Sequence, residues 1–131
     1  MIVCELMVGD LVLHDGKVIR VDAVHKRKIG YHKTKDKLTW LFCGQFDPIF
    51  LTPSILEKNG FIKGDTMDLG DEIYCVKLFN IHYDNEERQF WVCNFFESEY
   101  GTEINDIFQI KYVHELQHAL RLCKVDKEIV L

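Results

Sequence analysis

Leu51-Thr52-Pro53-Ser54-Ile55-Leu56-Glu57-Lys58-Asn59-Gly60-Phe61 reads as one short helix with both ends written into the sequence. The Thr52 hydroxyl is placed to accept from an orphan amide of the first turn. Pro53 suits the first helical position, because the N–H it lacks would have no partner there. At the other end, Asn59-Gly60 supplies the left-handed stop, with Phe61 placed to fold back onto the helix. The stretch decides the fold because everything before it reads as short strands, whereas everything after it reads as longer strands followed by a second helix. It marks the boundary between two halves of the chain.

Toward the N-terminus, residues 10–13 and 17–24 flank His14-Asp15-Gly16. An Asp-Gly step between apolar-rich runs is a strong hairpin signal, because both central residues of the tight turn need positive φ. Along the second run Arg20 and Asp22 alternate with Ile19, Val21 and Ala23, so one face is buried and the other wet. Further strands are expected over 28–33, 38–43 and 48–50. Five short, tightly connected strands in so little chain point to a small SH3-like β-barrel as an N-terminal lobe, residues 1–50.

Toward the C-terminus an acidic turn over 63–71 precedes strands over 72–83 and 87–96, joined by Asp84-Asn85-Glu86. Both strands are rich in the β-branched and aromatic types that suit a half-buried pleated surface, among them Ile73, Tyr74, Val76, Phe79, Phe90 and Trp91. A third strand over 103–110 leads into a helix beginning near Lys111, and 128–131 is expected to add a short edge strand. The fold class is therefore α+β. The lobe of residues 1–50 is followed by a linking helix over 51–61 and by an antiparallel meander with a packed helix over 62–131, the parts being separate or joined in one domain.

The terminal helix carries His114-Glu115-Leu116-Gln117-His118, the H-E-x-x-H pattern of zinc metalloproteases, in which two imidazoles one turn apart grip zinc and the glutamate takes a proton from bound water. On a helical wheel Tyr112, Leu116, Ala119, Leu120 and Cys123 fall within about 100° of one another and form one apolar stripe. His114, His118, Gln117, Arg121 and Lys111 fall on the other side, so both histidines are expected to face solvent among polar neighbours. A catalytic zinc also needs a third protein ligand and an open position. The metzincin extension is excluded, because Arg121 stands where glycine belongs and Lys124 where the third histidine belongs. An upstream ligand, His82, Glu97 or Glu99, stays open. The expectation is two solvated histidines and no cofactor; the alternative is a zinc-dependent hydrolase with His114 and His118 as ligands and Glu115 as general base.

The five cysteines, Cys4, Cys43, Cys75, Cys93 and Cys123, are odd in number, widely spread and without a C-x-x-C pair. They form neither a disulfide framework nor a zinc knuckle, and are expected to be small buried hydrophobes. No run approaches the roughly 18 apolar residues that span a bilayer, and the N-terminus lacks a basic region followed by an apolar stretch, so a cytoplasmic protein is expected.

Charge divides the chain unevenly: residues 1–50 carry eight basic and six acidic residues, net +2, against eight and fifteen in 51–131, net −7. Most of the positive character lies in 25–37, where Lys26, Arg27, Lys28, Lys33, Lys35 and Lys37 are candidates for phosphate contacts and Tyr31, with nearby Trp40, for stacking on bases. A net charge of −5 opposes nucleic-acid affinity, although a local patch can outweigh it.

Three phrases, Glu5-Leu6-Met7-Val8-Gly9-Asp10, the Leu51 to Phe61 stretch, and Tyr112-Val113-His114-Glu115-Leu116-Gln117-His118-Ala119-Leu120, resemble a family of small proteins encoded by Bacteroides-type gut bacteria and their prophages or mobile elements. The resemblance covers nearly the whole chain. Relatives often carry Val-His-Gln-Leu-Gln-Asn in the last phrase, which implies that Glu115 and His118 are not a shared catalytic pair. It implies no biochemical activity. The resulting expectation is a small cytoplasmic binding module that meets a protein partner or another copy of itself, with nucleic-acid binding through 25–37 as the alternative to that and to the hydrolase. No membrane partner is expected.

Overall fold

A computed structural model describes residues 5–64, 71–99 and 101–131, the side chains of 95–98 and 101–103 standing outside that description. The chain is α+β, and its sheets are antiparallel throughout. It divides into two compact units: Met1–Phe50 with Tyr112–His114, and Leu51–Lys111 with Glu115–Leu131.

In the first unit, β1 (Leu11–His14) and β2 (Lys17–Arg20) form a hairpin that pairs Leu11 with Arg20 and His14 with Lys17. Asp15 at φ 50° and Gly16 at φ 74° make the doubly left-handed turn that follows the twist of the strands. The run 17–24 does not continue as one strand. The Val21 amide still donates to the Asp10 carbonyl of the first hairpin, but the Asp22 amide donates to the Gly30 carbonyl, so the chain changes partners there and restarts as β3 (Ala23–His25). With β4 (Lys28–Thr34) and β5 (Lys37–Phe42) it forms a three-stranded sheet in the order β3-β4-β5.

The strand expected over 48–50 is replaced by isolated bridges, Leu13 with Asp47 and Phe50 with Tyr112. Among the described residues no closed barrel forms, because the two sheets of this unit share no ladder. What joins them is a core of Leu6, Val12, Val21, Ile29, Tyr31, Leu41 and Phe46. Asp10 is fully buried beside it, and its carboxylate accepts the Met7 amide at 2.8 Å across a turn that holds Gly9 at φ 96°.

The second unit opens with α1 (Pro53–Lys58), capped as its sequence dictates: the Ile55 amide donates to Thr52 Oγ1 at 3.3 Å. Gly60, at φ 80°, ends it with paired bonds, Gly60 amide to Glu57 carbonyl and Phe61 amide to Leu56 carbonyl, and both Leu56 and Phe61 are buried. Next come β6 (Ile62–Lys63), β7 (Glu72–Val76), β8 (Phe79–Asp84), β9 (Gln89–Ser98) and β10 (Gly101–Ile110), one antiparallel sheet in the order β10-β9-β8-β7-β6. Residues 65–70 of the expected acidic turn lie outside the described residues.

Two expectations change here. The run 72–83 is a hairpin rather than one strand, since Val76 pairs with Phe79 across Lys77-Leu78, with Lys77 at φ 54°. Residues 128–131 are not a strand either. The Asn59 carboxamide takes the place of a neighbouring strand, accepting the Val130 amide at 2.7 Å and donating to the Val130 carbonyl at 2.8 Å. A carboxamide offers the same donor and acceptor as a peptide unit.

The last helix is α2 (Val113–Leu122). Leu116 and Leu120 are buried and Arg121 is exposed, as expected from the wheel. His114 and Gln117, placed on the wet side, are instead buried, at 1% and 9% exposure, while Cys123 of the apolar stripe is exposed. Val113, fully buried, extends the covered arc past the centre set by the leucines, and Gln117 lies only about 40° from it. His114 is covered because Tyr112–His114 belongs to the first unit, where Phe50 pairs with Tyr112 and the Val113 amide donates to the Ile49 carbonyl at 2.8 Å. Lys124, at φ 57°, closes α2 with the same paired bonds that Gly60 makes at α1. Among the described residues no helix is long and apolar enough to cross a membrane.

Candidate functional site

The basic residues of 25–37 separate into two groups. Lys26 and Arg27 form the β3–β4 turn beside Lys28, whereas Lys33 lies near the far end of β4 and Lys35 and Lys37 beyond it. Five residues of strand put about 16 Å between Lys28 and Lys33. Tyr31 does not stand ready for stacking in the open. It is 9% exposed on the core face, because it shares that face with Ile29 and Leu41.

The other face of the same sheet carries a different set. Register places His25, Lys28 and Phe42 in one row and Ala23, Gly30 and Trp40 in the next. Trp40 and Phe42 are 37% and 58% exposed. The Lys28 ammonium lies 4.9 Å from the Trp40 ring centre, and the His25 ring meets Trp40 edge-on at 6.4 Å. An open recess of about 380 Å³ is lined by His25, Lys26, Arg27, Lys28 and Phe42. Every charged side chain in that wall is basic.

A larger groove of about 580 Å³ opens elsewhere on this unit, lined among others by His14, Lys17, Arg20, Asp22, Tyr31, His32 and Lys33. His32 Nδ1 donates to Asp22 Oδ2 at 2.8 Å, and the His32 amide donates to the same oxygen at 3.0 Å. The His32 ring holds the Asp22 carboxyl below the usual carboxylate range; burial opposes this, and Arg20, 4.0 Å away, adds to it. His14 Nδ1 donates to the Gln45 carbonyl at 2.7 Å, and its ring lies 5.8 Å from that of Tyr31.

The histidines of the H-E-x-x-H pentapeptide occupy unlike environments. His114 is buried and stacked on Tyr112, ring centres 5.5 Å apart and planes 11° from parallel, whereas His118 is half-buried. Glu115 Oε1 accepts the Lys111 amide at 2.9 Å, the work of a cap at a helix start. Of the upstream ligands considered, Glu99 is exposed and the Glu97 side chain lies outside the described residues. His82 is already held, Nε2 against Asp71 at 2.9 Å and Nδ1 against Asp106 at 3.0 Å. Among the described residues no group of three or more His, Cys, Asp or Glu side chains is placed to share a metal ion.

The cysteines are not uniformly buried as expected. Cys93 is buried and Cys75 half-buried, but Cys43 and Cys123 are exposed, and Cys4 lies outside the described residues. Burial, with Asp106 nearby, pushes the Cys93 thiol up to about 12, which leaves it protonated and unreactive.

Comparison of the chain with protein-family models, with curated proteins and with solved structures finds no match.

Proposed function

We propose that this chain is a small binding module and that the outer face of β3-β4-β5 takes single-stranded nucleic acid. The observation that carries this is the recess walled by His25, Lys26, Arg27, Lys28 and Phe42, with Trp40 beside it. Cations next to an exposed aromatic face match a backbone phosphate and a stacked base, and such a face does not depend on sequence. The net charge of −5 ranked a protein partner first in the sequence; a wall with no carboxylate in it, on the half of net +2, supports the opposite order. In finer detail we read the first unit as an SH3-like arrangement left open, and the family resemblance as pointing to work in the cytoplasm within a phage or mobile-element context.

The test is fluorescence anisotropy with short labelled RNA and DNA single strands. Micromolar binding at physiological salt is expected. Replacing Lys26, Arg27 and Lys28 with Ala should lower the slope of log affinity against log salt by roughly 0.7 for each phosphate that is no longer neutralised. Phe42→Ala should weaken binding by about 1–3 kcal/mol. A protein partner is the second reading, favoured by the exposure of Trp40 and Phe42 next to Arg27, since aromatic residues and arginine dominate the hot spots of protein interfaces. Absence of nucleic-acid binding, with capture of a protein that depends on Trp40 and Phe42 but little on salt, would establish that reading instead.

A further inference from the structure

The groove and the recess belong to the same unit, and the groove is equipped for more than holding a ligand. Two imidazoles line it, and in each the Nδ1–H is committed to an acceptor: a carboxylate for His32 and a backbone carbonyl for His14. An acceptor at Nδ1 fixes the tautomer and leaves Nε2 as the nitrogen that exchanges protons. The two differ at Nε2. His14 Nε2 lies 3.4 Å from Asp15 Oδ2, an acceptor beside that nitrogen, and Asp15 is 86% exposed, so the pairing is easily given up. Beside the rings Lys17, Arg20 and Lys33 line the same groove, and Tyr31 offers a ring to its inner wall.

From this we infer that the groove is a catalytic site for phosphodiester transesterification in RNA, with His32 as general base and His14 as general acid. The inference rests on the single-strand binding proposed above. His32 Nε2 takes the proton from a ribose 2′-hydroxyl; the freed oxygen attacks the adjacent phosphorus, forming the new P–O2′ bond. The P–O5′ bond breaks, and the leaving oxygen receives the proton of His14 Nε2. The products are a 2′,3′-cyclic phosphate and a 5′-hydroxyl, so the atoms balance without water, metal or oxidant. Lys17, Arg20 and Lys33, which line the same groove, would hold the charge that grows on the phosphoryl oxygens. Asp22 is a positioning residue, holding the His32 ring through Nδ1.

The experiment uses the full chain with a DNA strand containing one ribonucleotide, and with its all-DNA twin. Anisotropy reads binding, and mass spectrometry reads the product ends. Wild type is expected to bind both strands and to cut only the first, after the ribonucleotide, leaving the cyclic phosphate. His32→Ala and His14→Ala should each slow cleavage by roughly 100-fold or more while binding stays within twofold. His32→Gln serves as a second variant should His32→Ala fail to fold, as judged by circular dichroism. Asp22→Asn should displace the pH profile of cleavage, which a merely structural role would not do. Both strands bound and neither cut would overturn the inference and leave the binding proposal standing, as would cleavage unchanged in a His14→Ala, His32→Ala double variant. Neither strand bound would overturn the binding proposal, and this inference with it.

Discussion

At the scale of single residues, His82 has both ring nitrogens within 3.0 Å of carboxylates, an arrangement satisfied only when both carry protons. Burial pushes the ring toward neutrality, but Asp71 and Asp106 outweigh it and hold its pKa above the ordinary imidazole value. Its contribution to stability is therefore full below the unfolded-state value of about 6.5 and is lost as pH rises through the higher folded value. Urea midpoints of wild type should fall relative to those of His82→Gln as pH rises across that window; parallel curves would refute the clamp. Asp71 and Asp106 stand 11 and 24 residues from His82, a cross-strand meeting that no local pattern announces. The pentapeptide gives a second prediction. His114→Ala should cost roughly 2–4 kcal/mol because it empties a buried, stacked site, whereas His118→Ala should stay within about 1 kcal/mol. Equal effects in chemical denaturation would restore the wheel that put both rings in solvent.

At the scale of elements, what was legible followed the residues that carry positive φ at low cost. Asp15-Gly16 and Asn59-Gly60 announced a turn and a helix stop, and both stand where they were expected. Lys26, Lys77 and Lys124 take the same left-handed conformation without the usual glycine or asparagine, which is why the run 72–83 read as one unbroken strand. Each such lysine costs its element a little stability. Lys124→Gly should therefore raise the unfolding free energy by about 0.5–1 kcal/mol, and Gly60→Ala should lower it by a similar or larger amount. Thermal melts check both, and destabilisation by Lys124→Gly would show that the lysine side chain does more than close the helix.

At the scale of the whole molecule, the two units part at Phe50 and Leu51, and the first unit's claim on Tyr112–His114 is not legible in the sequence. Nothing in a local pattern shows that a segment more than sixty residues downstream completes it. Without that segment the unit lacks the Val113–Ile49 hydrogen bond and the Phe50, Tyr112 and His114 ring contacts. These sum to about 2–4 kcal/mol, a decisive share for a domain of this size. A fragment of residues 1–50 should therefore be largely unfolded by circular dichroism, and a cooperative melt matching the full chain would refute this. The candidate site was legible as composition, a basic stretch with aromatics, and illegible as geometry. The alternation of β4 turned Tyr31 inward and the length of the strand parted the lysines.

The Asn59 carboxamide, bound to Ile55 and Val130, also governs how the molecule ages. Asn-Gly is the step at which an asparagine side chain most readily cyclises onto the following backbone nitrogen and loses ammonia. Here that nitrogen donates to Glu57, and the carboxamide that must swing toward it belongs to a residue only 5% exposed and is held at both ends. Deamidation at this site should be slow in the folded protein and fast whenever α1 opens. The isoaspartate content of a stored sample then becomes a record of how often that opening has occurred.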